Sequence, residues 1–228
     1  GYAGGTENSI VVHNNYAYFL NNSGILQCLN LNTLSPIWYY KMEDDCDATL
    51  GAEEENNTLM LYAGCEVDRR KKDSPAYIKK INGYTGEVIW QYSCDCKYDA
   101  NVNGGILSSP VIGKNELSDL VIFNIAKTTN FRAGKMVAID KSSGNVVWEK
   151  DLSYYSWSSP TAIYTDKGKG YIIFADSNGQ VHLIDGKNGE TLHTLQTGGG
   201  NFEGSPIIFN NHIIIGSRGR KIFRIDIK

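Results

Sequence analysis

The chain has 228 residues, 41% of them hydrophobic and 21% charged, with a formal net charge of −3. That is the composition of a folded globular chain long enough for a substantial core, and it excludes a disordered or strongly basic nucleic-acid-binding protein. No apolar run approaches the ~18 residues of a membrane-spanning helix. The opening Gly-Tyr-Ala-Gly-Gly has no basic or hydrophobic leader features, so any export signal is expected outside these residues.

Taken in chain order, residues 9–41 read as short alternating strands. They close on Leu29-Asn30-Leu31-Asn32-Thr33-Leu34-Ser35-Pro36-Ile37-Trp38. The second stretch holds two acidic runs, Glu43–Asp47 and Glu53–Glu55, and a basic loop at Asp68–Asp73, all read as solvated turns. The first run offers clustered oxygens for calcium but lacks the spacing and glycine of an EF-hand loop. This stretch closes on Ile81-Asn82-Gly83-Tyr84-Thr85-Gly86-Glu87-Val88-Ile89-Trp90. The third opens with Ser108-Ser109-Pro110-Val111, carries an insertion near 118–134, and closes from Ile139-Asp140 through Gly144 to Trp148. The fourth opens with Ser158-Ser159-Pro160-Thr161 and predicts strands at 160–164, 170–175, 179–184 and 189–194. It closes from Ile184-Asp185 through Gly189 to His193. The fifth opens with Gly204-Ser205-Pro206-Ile207 and predicts strands at 206–209, 212–216 and 221–226, with Ile225-Asp226 starting another closing phrase.

Two markers therefore share one period. The opening prolines are spaced 50 and 46 residues apart, the closing aromatics (His193 included) 52, 58 and 45. The closing phrase has a physical reading. Asp or Asn at the strand end accepts hydrogen bonds from backbone amides of an Asx turn. Gly supplies the positive φ of a tight hairpin. Trp then lands on the next strand, its face packed on a neighbouring unit and its N–H in need of a partner. Trp38, Trp90 and Trp148, with Gly86, Gly144, Gly189, Asp140 and Asp185, are expected to be structural anchors of the repeat. Four short antiparallel strands per ~45 residues make a propeller blade.

Five cysteines, at 28, 46, 65, 94 and 96, cannot all pair within the chain. Cys94-Asp95-Cys96 lacks the second half of a zinc site, and the four histidines are scattered, so no metal site is expected. A disulfide such as Cys46–Cys65 and buried free thiols stand as alternatives.

The D/N-x-x-T/S/N-G-x-x-x-W phrase after a Ser-Ser-Pro strand resembles the tryptophan-docking repeat of quinoprotein-type (PQQ-like) propellers. That repeat also occurs in the outer-membrane assembly lipoprotein of the barrel-insertion machinery and in secreted proteins. The resemblance covers residues ~9–228 and implies fold, not activity. Enzymes of the family use eight blades, a vicinal cysteine pair and calcium. Here Asp95 separates Cys94 from Cys96, and only five units are present.

The expected structure is one all-β propeller domain over 1–228, with units at 1–41, 42–93, 94–152, 153–197 and 198–228. It is either a small ring or part of a larger propeller. Loops before each opening strand gather on one face of such a fold. There Asn103, Tyr154, Tyr155, Trp157, Asn201, Phe202 and Glu203 are the candidate binding residues, because aromatic and amide side chains stack and hydrogen-bond. Neither a catalytic set nor a cofactor is nominated. The expected role is a non-catalytic binding scaffold, secreted, cell-surface or periplasmic, with a protein or glycan on one face and self-association through an open edge. A degenerate quinoprotein dehydrogenase and a sensor domain of a larger surface protein are the alternatives.

Overall fold

The computed structural model describes residues 5–227. Its contacts divide the chain into two compact units: Gly1–Ser109 with Lys127–Phe131, and Pro110–Ala126 with Arg132–Lys228. Among the described residues the regular structure is β-strand, with a single 3-10 turn at Asn115–Leu117.

In the first unit, β1 (Val11–His13), β2 (Tyr16–Phe19), β3 (Ile25–Asn30) and β4 (Ser35–Lys41) form an antiparallel meander. A second meander has β5 (Gly51–Glu55), β6 (Thr58–Gly64), β8 (Ser74–Asn82) and β9 (Val88–Cys96) in that order. The short strand β7 (Glu66–Val67) leaves this sheet and pairs with β10 (Gly104–Gly105). Strand β9 runs three residues past the expected boundary at 93.

In the second unit, β11 (Val111–Ile112), β12 (Leu120–Ala126), β13 (Gly134–Asp140) and β14 (Val146–Leu152) pair in succession. Strands β15 (Thr161–Tyr164), β16 (Gly170–Ala175), β17 (Gln180–Asp185) and β18 (Thr191–Gln196) form the next four-stranded sheet. Strands β19 (Ile207–Phe209), β20 (His212–Ser217) and β21 (Lys221–Asp226) form a three-stranded one.

Burial follows from stacking sheets on both sides. Strand β16, Gly-Tyr-Ile-Ile-Phe-Ala, sends Ile172 and Phe174 into one core and Ile173 and Ala175 into the next, so it reads as a continuous apolar run. Strand β18, at the other end of the meander, is exposed along its whole length.

The closing phrase builds the same turn each time. The Asn82 side chain accepts the N–H groups of Tyr84 and Thr85, and Gly86, at φ +77°, donates to the Asn82 carbonyl at 2.8 Å. Asp140 and Asp185 repeat the side-chain contact, with Gly144 and Gly189 at +75° and +74°. In the first copy, where glycine is missing, Leu34 takes the same place at φ +55°. A register shift recurs beside the residue paired with each closing aromatic: Cys28 opposite Trp38, Lys80 opposite Trp90, Ala138 opposite Trp148 and Leu183 opposite His193. Such a bulge bends and twists the strand locally, here always beside that aromatic.

Within the first unit, Trp38 Nε1–H donates to the Gly83 carbonyl at 3.0 Å and its ring lies against Gly86. Within the second, Trp148 donates to the Gly186 carbonyl at 3.1 Å and its ring lies against Gly189. Trp90 and Trp148 are buried.

Candidate functional site: the rim of blade-opening loops

In the second unit, backbone hydrogen bonds lace the loops before the opening strands to the turns between second and third strands. Tyr155 N–H donates to the Arg132 carbonyl, Ser177 N–H to Tyr155, Phe202 N–H to Asp176 and Arg218 N–H to Asn201, all within 2.7–3.2 Å. This lacing fixes a rim on which side chains stand at set positions.

Trp157 is half-buried, with its ring tilted against Tyr155 at 5.6 Å between centroids. Its indole Nε1–H is enclosed and has no hydrogen-bond partner among the described residues. A buried donor left in this state costs about 1–3 kcal/mol. The Arg132 guanidinium lies 6.0 Å from the centre of the Tyr154 ring. Farther along, Asn201 Nδ2–H donates to Glu203 Oε1 at 3.1 Å, and Arg218 Nε–H donates to Glu203 Oε2 at 2.7 Å. Asn124 also donates to the Ser158 carbonyl, while Asn124 Oδ1 and Ser158 Oγ are buried without partners among the described residues.

Phe202 leaves the candidate set: it is fully buried, edge-on to Phe223 at 5.8 Å, and belongs to the core between the last two sheets. An aromatic in a blade-opening loop anchors the loop when it points inward, and sequence alone does not fix that direction. Asn103 belongs to the first unit, where Nδ2–H donates to Glu66 Oε2 at 2.7 Å.

The first unit's loops are built around buried acids. The expectation of solvated turns fails for Asp44 and Asp45, which are 4% and 8% exposed. Asp44 accepts the Arg69 N–H at 2.8 Å and the Arg70 Nε–H at 2.9 Å, so the basic loop folds back as a clamp on this carboxylate. Arg69 also reaches the Asn22 carbonyl. Glu66 is fully buried, and its Oε1 accepts the Asp47 N–H at 3.2 Å. Burial, then the neighbouring Asp47, pushes Glu66 up to about 10, and burial pushes Asp45 to about 6. All five cysteines are free thiols, Cys46 and Cys65 included.

Arg132, Arg218, Glu66 and Asp176 are not among the candidates the sequence offers, because all lie at or beside turns between second and third strands and not in the opening loops. Their signal was positional: each closely follows the apolar second strand of its unit. Asp176 Oδ2 holds His182 Nε2 at 2.9 Å, and His182 Nδ1 meets Thr194 Oγ1 at 3.0 Å beside a cleft of about 220 Å³. The order Thr–His–Asp is that of a charge relay, but Asp176 Oδ1 also accepts the Asn178 and Gln180 amides and His182 lies flat on Phe174. The set ties the β16–β17 turn to the sheet. Among the described residues no three His, Cys, Asp or Glu are arranged to hold a metal ion. None of the described helical turns is long and apolar enough to cross a membrane.

A family profile described as outer membrane protein assembly factor BamB matches residues 76–228. No curated protein sequence matches the chain. Among solved structures, BamB from Moraxella catarrhalis is 16% identical with a TM-score of 0.50, over 99% of this chain and 73% of that one. Quinohemoprotein alcohol dehydrogenase ADHIIG from Pseudomonas putida HK5 is 14% identical with a TM-score of 0.58, over 82% of this chain. A europium-containing methanol dehydrogenase is 10% identical with a TM-score of 0.62, over 95% of this chain. The aligned region spans 34% of the first dehydrogenase and 44% of the second. At these identities the likeness shows the fold, a β-propeller of PQQ-like repeats.

Proposed function

The chain belongs to the family of the outer membrane protein assembly factor BamB, and on that premise we propose that it is a non-catalytic scaffold of the cell envelope that grips a protein partner. The grip is the rim of the second unit, centred on Trp157. The observation that carries this reading is the group of aromatic side chains on that rim, with the half-buried Trp157 tilted against Tyr155 and Tyr154 beside the Arg132 guanidinium. Trp, Tyr and Arg are the side chains that dominate protein-binding energetics. Asn201, Glu203 and Arg218 supply a polar border. In the first unit Asn103 serves Glu66 and is read as a structural residue.

The dehydrogenases among the similar structures raise the catalytic alternative. Dialysing the purified chain against pyrroloquinoline quinone and calcium separates the two. The expected result is no stoichiometric quinone retained and no alcohol-dependent dye reduction. One-to-one retention with turnover would overturn the scaffold reading.

A further inference from the structure

The strand β9 ends in two thiols on one face. Along Trp90, Tyr92, Cys94 and Cys96 the side chains alternate inward, with Cys94 partly exposed and Cys96 buried. The neighbouring Cys94, then burial, holds the Cys96 thiol well above the ordinary thiol range. Cys96 Sγ–H reaches the Cys94 carbonyl at 3.4 Å. Beside Cys96 opens a cleft of about 320 Å³, lined also by Ser74, Asp95, Lys97 and Thr128. Thr128 is 8% exposed and its hydroxyl is buried without a partner among the described residues.

We propose that Cys94 and Cys96 form a thiol–disulfide exchange site whose reactant is a small disulfide that meets the partly exposed Cys94. Cys94, the accessible thiol, attacks as thiolate. A sulfur–sulfur bond forms to the incoming disulfide, its own S–S bond breaks, and the first thiolate leaves with the proton lost by Cys94. Cys96 then attacks Cys94 Sγ and expels the second thiolate, which takes the Cys96 proton. The protein loses two protons and two electrons, and the small disulfide becomes two thiols. With Cys94 held in the mixed disulfide, the largest influence raising the Cys96 thiol is removed, and burial is left opposing the second step. Residues two apart on an extended strand have Cα atoms about 6.6 Å apart, at the long end of what a disulfide spans. The bond is therefore strained and readily reduced, which suits reversible exchange over permanent cross-linking.

Trypsin gives a direct test, because cleavage after Lys80 and Lys97 releases Ile81–Lys97, which contains Cys94 and Cys96 and no other cysteine. The folded chain is incubated with oxidised glutathione, quenched with N-ethylmaleimide, digested and weighed. The expected peptide lacks two hydrogens and carries no maleimide, and dithiothreitol restores alkylation of both. The variant C96S should instead accumulate glutathione on Cys94, and C94S should leave the peptide without a disulfide. A wild-type peptide that stays doubly alkylated while folded would overturn the proposal, whether or not the variants fold. So would oxidation seen only in urea, or a first disulfide linking Cys46 to Cys65.

Discussion

Gly189 lies so close to the face of Trp148 that a Cβ placed there would stand 2.7 Å from ring atom Cε3. The same pairing joins Gly86 to Trp38, with 2.9 Å to the ring. The glycine is thus required twice, once for its positive φ and once for the space the indole fills. Gly189→Ala or Gly86→Ala is expected to cost about 2–4 kcal/mol, the sum of left-handed strain and overpacking. Urea unfolding followed by tryptophan fluorescence measures it. A loss below about 1 kcal/mol would mean that the ring shifts without penalty.

Leu34 makes the converse prediction. It holds the glycine position of the first copy at φ +55° and is exposed. Leu34→Gly relieves left-handed strain at a site with little apolar burial to lose, offset in part by a more flexible unfolded chain. A net gain of about 0.5–1 kcal/mol is expected in the same urea titration.

The buried acids predict a pH dependence. Glu66 faces Asp47 and Asp45 with Asn103 as its amide partner, and it is held protonated well above its ordinary 4.5. The native state therefore binds a proton that the unfolded state has released. This contribution to stability is complete below pH 4.5 and is lost as pH rises toward about 10. The slope approaches about 1.4 kcal/mol per pH unit. Glu66→Gln mimics the protonated acid and should flatten the decline of melting temperature between pH 5 and 9. A wild-type protein whose stability rises over that range would contradict the assignment.

The repeat was legible because its turns are made by residues with one physical use each. Asn82, Asp140 and Asp185 cap amides, Gly86, Gly144 and Gly189 turn the chain, and Trp38 and Trp148 fill the seat of a neighbouring turn. Those constraints are local and survive in a linear text. The rim was legible only in part. Trp157 and Phe202 sit in equivalent loops, yet one is half-buried with an idle donor and the other is sealed in the core. Which way a loop aromatic points depends on packing by residues tens of positions away. The acidic run at 43–47 misled for the same reason: Asp44 is buried by Arg69 and Arg70, which no local pattern links to it.

Removal of the rim's anchor should separate binding from stability. Trp157→Ala takes away a half-buried ring whose N–H has no partner, so the melting temperature should change little, while a bound partner should dissociate at least tenfold more readily. Size-exclusion chromatography of the complex alongside thermal melting gives both readouts.

Site-specific photocrosslinking tests the scaffold reading most directly. The photoreactive residue p-benzoylphenylalanine is placed at 157, and in separate chains at the exposed outer positions Tyr39 and Leu192, each expressed in the source cells. A discrete protein adduct from position 157, weakened by Arg218→Ala and lacking at 39 and 192, is the predicted result. Equal adducts at all three positions, or none at 157, would contradict a protein-gripping rim.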